Sequence, residues 1–232
     1  MPGTFKDIFA LFKYLNVPMR NGQIHHTASH FEVMELGNDE LCAVPMPMQP
    51  FYRGQNTYYD ICKPSLFRRD WTPEELFERD IQLADFKFIL EKHPEIKNLK
   101  AAGIKINYEG LAQHYGIPTD ILDFSNSPLV AAFFATTTYD PFTDSYAPIL
   151  HTVSKGVIYV NQLGGMFESM MPGSFWAKPI GMEVLHRPGE QRAYGRKMRI
   201  DEDLNTIGDY QNTFSGIALM HHSRYGNTVM GQ

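Results

Sequence analysis

The chain has 232 residues, of which 43% are hydrophobic and 20% are charged, and its formal net charge is −5. This composition is typical of a globular protein with a sizeable core. The acidic balance argues against a broad basic face that grips nucleic acid through phosphate contacts alone. No apolar run reaches the roughly 20 residues that a membrane-spanning helix needs, and the N-terminus lacks signal-peptide architecture. We therefore expect a cytoplasmic protein whose Cys42 and Cys62 are reduced thiols.

The N-terminal 45 residues predict a helix followed by a hairpin. Thr4 and Asp7 have the spacing of a helix cap and its acidic partner, so we expect the helix to open at Thr4. Residues 32–44 contain two short segments around Gly37-Asn38-Asp39, which favours a β-hairpin. We interpret residues 1–45 as an N-terminal extension and residues 46–232 as the main domain.

A longer helix is predicted to start at Thr72-Pro73-Glu74-Glu75. The threonine can cap the helix, the proline suits its first turn, and Glu75 stands at the capping-box position. Phe77, Ile81, Ala84 and Phe88 then recur at helical spacing. This pattern predicts a buried apolar stripe.

The next elements form a helix, a strand and a second helix in close succession. The first helix begins near Asn107 and ends at Gly116, a natural left-handed stop that Pro118 reinforces. Residues 120–125 predict a buried strand, and Ser127-Pro128 starts a helix to about residue 137. Further strands are predicted at residues 156–163, 182–186 and 215–221. Because helices come mainly first and strands mainly later, the order favours an α+β fold.

Polar side chains stand at nearly every junction between residues 113 and 125. His114, in the last turn of a helix, could either interact with the helix dipole or contact a ligand. Thr119 and Asp120 open the following strand, and either could simply tie down the turn by hydrogen bonds to backbone amides. Ser125 stands beside a helix N-terminus, which offers N–H groups to an anion, whereas Ser127 is expected to cap that helix.

A second polar group is Arg53, which we pair with Asp123. Asp123 lies inside an apolar strand, and a buried carboxylate needs a partner. Arg53 follows two aromatic residues and precedes Gly54, so we expect the strand to end there. Glycine at that place would permit a ligand to approach the backbone closely. Arg53 therefore fits either a bidentate grip on a phosphate or carboxylate, or an ion pair with Asp123.

A third group follows the turn signal Pro188-Gly189. Glu190 could stabilise a developing cation on a ribose or act as a general base, or it could be an ordinary exposed loop charge. The histidines lack partners at metal-ligand spacing, so no metal is expected. No P-loop and no dinucleotide-binding glycine motif occurs.

Several of these segments together resemble the FRG-domain family, which is named after its Phe/Tyr-Arg-Gly motif. Tyr52-Arg53-Gly54-Gln55 is similar to the naming motif, residues 113–124 are similar to the central signature, and Gln191 is similar to a late glutamine. The resemblance covers roughly residues 50–195. Asp120 departs from it, since many members carry arginine at that place.

The order of these motifs is similar to that of ADP-ribosyltransferases. The resemblance therefore implies helices packed on a split, mostly antiparallel sheet, and NAD-dependent transfer of ADP-ribose to a protein or nucleic acid. It implies Arg53, Glu190 and Gln191 as catalytic residues. NAD is the implied substrate, with contacts expected from Arg53, Gln55, His114, Thr119, Asp123 and Ser125.

The resemblance also implies a toxin or phage-defence effector that acts away from membranes. A macromolecular acceptor is then expected, and an antitoxin or chaperone partner is compatible with that role. The alternative is a non-catalytic module that binds a nucleotide, a nucleic acid or a protein. Hydrolysis of NAD or of a nucleic-acid backbone is a third reading, although a metal-dependent nuclease is disfavoured because no carboxylate cluster is evident.

Overall fold

A computed structural model describes most of the chain, including one unbroken stretch of one hundred residues in its middle. The described residues are 3–5, 7–14, 19–20, 23–24, 31–35, 41–45, 50–149, 155–161, 177–180, 185, 188, 190–206 and 216–221.

Strands and helices alternate irregularly along this part of the chain. The strands are β1 (Gly3–Phe5), β2 (Met19–Arg20), β3 (Gln23–Ile24), β4 (Phe31–Glu35), β5 (Leu41–Pro45), β6 (Phe51–Gln55), β7 (Ile121–Ser125), β8 (Thr137–Asp140), β9 (Ser145–Pro148), β10 (Lys155–Asn161), β11 (Lys178–Pro179), β12 (Ala193–Lys197) and β13 (Gly216–His221). The helices are α1 (Ile8–Tyr14), α2 (Pro73–Leu90), α3 (Pro94–Ala101), α4 (Tyr108–His114) and α5 (Pro128–Thr136), with a 3₁₀ turn at Ser65–Phe67.

The central sheet has the strand order β1-β13-β10-β6-β7-β12-β11. Only the β1–β13 pair in it is parallel. The predicted α+β class with a mostly antiparallel sheet is therefore confirmed for the described residues. Three two-stranded ribbons, β2–β3, β4–β5 and β8–β9, lie outside this sheet.

Two core clusters cover the two faces of the central sheet. On one face, α5 packs on β6 and β10, and α1 packs on β1 and β13. Their core side chains form one cluster, which includes Leu11, Tyr52, Ala131 and Ile158. The other face holds a second cluster that includes Phe51, where the ring meets Tyr194 edge-on at 4.8 Å between centroids.

The N-terminal helix begins later than its sequence predicts. Thr4 lies in β1, and Asp7 caps α1 by accepting a hydrogen bond from the Ala10 N–H at 2.8 Å. The predicted start at Thr4 is therefore wrong, because β1 pairs with β13 and tertiary pairing overrides the local cap signal. The hairpin within residues 32–44 is confirmed as β4 and β5, and its turn lies outside the described residues. The 45/46 boundary stays a prediction, although β1 and α1 join the main sheet and core.

The start of α2 is confirmed, but the predicted burial of its apolar stripe is wrong. Thr72 and Glu75 exchange both capping-box hydrogen bonds. No residue of α2 is fully buried, and Phe77 is 66% exposed. The side of α2 that faces the protein carries Phe86 and Leu90, which pack against a small cluster around Leu111.

The segment from α4 to α5 follows its sequence signals closely. Asn107 caps α4 by accepting from the Gly110 N–H, and Gly116 ends the turn with φ 88°. Ser127 accepts from the Val130 N–H at the start of α5, which confirms its predicted role as a cap. The predicted strands at 156–163 and 215–221 correspond to β10 and β13, whereas most of 182–186 lies outside the described residues.

Candidate functional site

The site is centred on a gap between β6 and β7. These two strands pair only at Tyr52 and Ser125 and then diverge. The side chain of Arg53 crosses the gap, and its Nη1 donates to the main-chain carbonyl of Asp123 at 2.8 Å. Arg53 therefore supplies a cross-strand bond next to the single position at which β6 and β7 pair.

The predicted ion pair between Arg53 and Asp123 is wrong. The guanidinium bonds to the main chain of Asp123, and the carboxylate Oδ1 is buried without a hydrogen-bond partner among the described residues. Arg53 Nε is likewise buried and unpartnered in that part of the chain. Arg53 also lies in the middle of β6, not at its end.

Gly54 has a different purpose from the one its sequence suggested. A Cβ atom at this position would lie 1.7 Å from the main-chain oxygen of Ala131. The close approach that glycine permits is therefore that of helix α5, not that of a ligand.

His114 and Asp123 face each other beside Arg53. The last turn of α4 places His114 Nε2 3.9 Å from Asp123 Oδ1, which is beyond hydrogen-bond distance. The His114 side chain is only 5% exposed, and its Nε2 also has no partner among the described residues. A polar group in the cavity that contacts both atoms would satisfy two buried groups that otherwise lack a hydrogen bond.

These residues share one cavity of about 200 Å³. Polar side chains from β6, α4, β7 and the turn before β12 line the cavity, and α5 supplies an apolar wall. The lining residues are Tyr52, Arg53, Gly54, His114, Asp123, Phe124, Ser125, Val130, Ala131, Phe134, Gln191 and Ala193. Alternation along β7 turns Asp123 and Ser125 away from the core side chains of Leu122 and Phe124.

The structure separates Gln191 from Glu190. Gln191 lines the cavity, whereas Glu190 is exposed and is not among the lining residues. The carbonyl of Gln191 accepts a 2.7 Å hydrogen bond from Ser125 Oγ, and the next residue, Arg192, has φ 47°. This hydrogen bond and the turn at Arg192 fix the main chain of Gln191 just before the start of β12.

Ser125 has a structural role as well as its place in the cavity. Its Oγ donates to the Gln191 carbonyl and accepts from the Ser127 N–H at 3.0 Å. A ligand would therefore meet the remaining lone pair of this hydroxyl.

Thr119 and Gln55 lie away from the cavity. Thr119 is fully buried, and its hydroxyl donates to Gln113 Oε1 and accepts from the Ile121 N–H. This is the turn-fixing role that was one reading of its sequence. Gln55 donates through Nε2 to Cys62 Sγ at 3.6 Å. Ligand contacts of Thr119 and Gln55 stay predictions.

Asp120, which departs from the family pattern, is paired with a lysine. Asp120 Oδ2 lies 3.1 Å from Lys197 Nζ, which is also 3.2 Å from Glu109 Oε2. Burial alone would lower the pKa of Lys197, but the hydrogen bonds to these two carboxylates outweigh it and raise the pKa. Asp120 therefore ties β7 to β12 beside the site.

A match to a protein-family model covers the segment that supplies most of this cavity. The model of the FRG domain matches residues 49–144. The chain carries an FRG domain. The matched segment supplies all of the cavity lining except Gln191 and Ala193. Neither curated proteins nor solved structures give a match.

The FRG domain contains a second arginine, Arg68, whose charge interacts with that of Arg53. Desolvation lowers the pKa of the Arg68 guanidinium, and the positive charge of Arg53 lowers it further, while Asp123 acts in the opposite direction. Arg68 Nε donates to the Lys63 carbonyl at 2.8 Å. In the sequence, Arg68 was visible only as part of the pair Arg68-Arg69, which follows the naming motif. Such a pair by itself resembles ordinary surface charge.

The part of the chain that the structure describes contains no group of three or more His, Cys, Asp or Glu side chains that could hold a metal ion. It likewise contains no helix with both the length and the apolar character needed to cross a bilayer.

Burial of Tyr52 in the cavity wall predicts a loss of stability at high pH. Burial raises the pKa of its hydroxyl from 10.0 to about 12. The unfolded state therefore loses this proton first, and Tyr52 alone should lower the free energy of unfolding by about 2–3 kcal/mol between pH 10 and 12. Urea titrations of Tyr52→Phe should show a shallower fall, whereas the exposed Tyr115→Phe should follow the wild type. Equal falls in all three proteins would contradict the assignment.

Proposed function

We propose that this FRG-domain protein is an NAD-dependent ADP-ribosyltransferase that modifies a protein or nucleic acid. The observation that carries the proposal is the convergence of Arg53, His114, Asp123, Ser125 and Gln191 on one cavity. Three of these residues present buried polar atoms that have no partner among the described residues: Arg53 Nε, His114 Nε2 and Asp123 Oδ1. Because buried polar groups in native proteins are almost always hydrogen-bonded, these atoms favour a polar ligand there.

The size of the cavity indicates which part of NAD it would hold. Pockets for whole drug-sized ligands span about 300–1,000 Å³, whereas this cavity measures about 200 Å³. It therefore suits the nicotinamide ring with its ribose and leaves the remainder of the dinucleotide outside. The apolar wall of Val130 and Phe134 fits the ring, and the polar wall fits the carboxamide and ribose hydroxyls.

Each polar side chain then has a role in the transfer. The bond between ribose C1′ and the nicotinamide nitrogen breaks with its electron pair leaving on nicotinamide, and a nucleophile of the acceptor bonds to C1′. Arg53 holds a phosphate or ribose oxygen, and Ser125 contacts the ribose. Gln191 orients the acceptor or stabilises the cationic ribose. Glu190 is exposed, so Gln191 is the better candidate for this role.

A direct assay tests the proposal and compares substitutions of the adjacent residues Glu190 and Gln191. Purified protein is incubated with NAD labelled in the adenylate part and with extracts of protein and nucleic acid, and released nicotinamide and transferred label are measured. We expect both in the wild type, a loss of about tenfold or more in Gln191→Ala, and little change in Glu190→Ala. Absence of both products from the wild type would refute the enzyme. Induction of the same variants in cells tests the proposed cytoplasmic toxin or phage-defence role through growth arrest.

A non-catalytic binding module remains the second candidate. It is favoured by the hydrogen bonds that Arg53 Nη1 and Ser125 Oγ already make to the main chain, since such bonds also suit a purely structural network. Calorimetry with NAD separates the two functions. Binding that is lost in His114→Ala, without any release of nicotinamide, would favour the module.

A further inference from the structure

His114 and Asp123 present two buried polar atoms to the cavity, and the proposed transfer gives neither of them a role so far. His114 Nε2 and Asp123 Oδ1 are 3.9 Å apart, and neither atom has a hydrogen-bond partner among the described residues. This distance is too long for a direct hydrogen bond. Because buried polar atoms in native proteins are almost always hydrogen-bonded, a third group is expected between the two.

The distance between the two atoms indicates which chemical group fits there. Two hydrogen bonds of about 2.8 Å can meet at a single atom between them, with an angle of about 90° at that atom for the observed 3.9 Å. A hydroxyl satisfies both sides, because it donates its hydrogen to Asp123 Oδ1 and accepts from the His114 Nε2–H. A thiol forms only weak hydrogen bonds, and an ionised carboxylate has no hydrogen to give to Asp123 and is repelled by it.

The charges around the pair disfavour a cationic group in the same place. Arg53 lines the cavity beside Asp123, and its Nη1 is bonded to the Asp123 carbonyl. Arg68 adds a second positive charge that interacts with both Arg53 and Asp123. The amine of a lysine or the guanidinium of an arginine would bring a third positive charge to this one carboxylate. The site therefore suits a neutral hydroxyl better than a charged nucleophile.

Asp123 lies where an acceptor can reach it from outside the cavity. Its side chain is 34% exposed, whereas that of His114 is 5% exposed, so the carboxylate stands at the edge of the cavity. Building on the proposed transferase function, we propose that Asp123 and His114 hold a serine or threonine hydroxyl of an acceptor protein. A protein is favoured over a nucleic acid because this chain has a net charge of −5, which repels phosphates.

The bound hydroxyl completes the transfer without any further reagent. Its oxygen bonds to ribose C1′, the bond from C1′ to nicotinamide breaks with its electron pair leaving on nicotinamide, and the hydroxyl proton passes to Asp123 Oδ1 and then to solvent. Asp123 is therefore the general base, and His114 positions the hydroxyl. Serine and threonine carry the hydroxyl on one carbon, which suits a cavity of about 200 Å³ better than the ring of a tyrosine does.

Mass spectrometry of the products tests the class of the acceptor. The wild type is incubated with labelled NAD and, separately, with a protein extract and a nucleic-acid extract, and the modified residues are located. We expect ADP-ribose on serine and threonine hydroxyls. Label found only on arginine, lysine, cysteine or carboxylate side chains, or only on nucleic acid, would overturn this inference and leave the transferase standing. Absence of nicotinamide release would refute the transferase and this inference with it.

Asparagine in place of Asp123 distinguishes a general base from a contact to NAD. Asparagine keeps the size of the side chain but does not take the proton, so we expect transferred label to fall about 10²-fold. The dissociation constant for NAD, measured by calorimetry, should change by less than about twofold, and this retained binding also shows that the variant is folded. If Asp123 held a hydroxyl or the amide of NAD itself, binding would weaken together with transfer, and that result would overturn the inference.

The matched control is Glu109→Gln, which makes the same chemical change on α4. Glu109 is exposed at the surface and pairs with Lys197 at 3.2 Å, and it does not line the cavity. We expect wild-type transfer from this variant. An equal loss of transfer in Glu109→Gln and Asp123→Asn would mean that removal of any nearby carboxylate impairs the protein, and the assignment of Asp123 as the base would be wrong.

Discussion

Alanine in place of Gly54 is expected to lower the free energy of unfolding by about 3–4 kcal/mol. The added Cβ would lie 1.7 Å from the Ala131 oxygen, and the carbonyl carbon and Cα of Ala131 lie 2.6 and 3.0 Å away. All three are main-chain atoms of α5, so no side-chain rotation can relieve the clash. Helix α5 must move off β6, and with it the apolar wall of the cavity.

Urea denaturation measures this cost, and Gly116→Ala is the matched control. Gly116 has φ 88°, and an added Cβ atom would lie in open space, so alanine there costs only backbone strain of about 1–2 kcal/mol. A larger loss for Gly54→Ala than for Gly116→Ala assigns the effect to the contact with α5. Equal losses would mean that α5 can shift away from β6 at little cost, and that the close contact does not require glycine at position 54.

Local signals along the chain predicted individual elements well. Thr72 and Glu75 start α2, Asn107 starts α4, and Ser127 starts α5, because capping depends on side chains within one turn of the helix end. The prediction that a helix starts at Thr4 was wrong for the complementary reason. Its segment pairs in parallel with β13, more than two hundred residues away, and no local pattern contains that contact.

The face of α2 that packs inward could not be predicted from periodicity. Both sides of the helix carry large apolar residues, Phe77 and Phe88 on one and Phe86 and Leu90 on the other. A helical period shows that a stripe exists but does not say what covers it. The structure assigns the inner side to Phe86 and Leu90 and leaves Phe77 and Phe88 exposed.

The polar half of the candidate site was visible in the sequence, and the apolar half was not. His114, Asp123 and Ser125 stand out because polar side chains at the ends of buried elements are costly without a partner. Val130 and Phe134 read as ordinary core residues of α5, and only the tertiary packing makes them a cavity wall. The choice between Glu190 and Gln191 depended likewise on a turn at Arg192.

Lysine in place of Arg53 is expected to reduce nicotinamide release about 10²–10³-fold if the protein is the proposed enzyme. Arg53 uses Nη1 to bond the Asp123 carbonyl across the gap between β6 and β7, while Nε stays unpartnered among the described residues. A lysine keeps the positive charge but has one ammonium group on a flexible chain. It can bond the carbonyl or a ligand oxygen, but it cannot reproduce the fixed arrangement that serves both.

The decisive comparison is with Arg69→Lys, measured in parallel for nicotinamide release and for thermal unfolding. Arg69 is exposed, pairs with Glu75 at 2.8 Å and stacks on Trp71, all outside the cavity. We expect its lysine variant to keep wild-type activity. Arg53→Lys should lose activity while unfolding within a few degrees of the wild type, because one hydrogen bond contributes only about 1 kcal/mol. If Arg53→Lys retains most of its activity, charge alone accounts for the role of Arg53. If activity and stability collapse together, Arg53 is a structural bridge between β6 and β7, and the ligand contacts belong to His114 and Asp123.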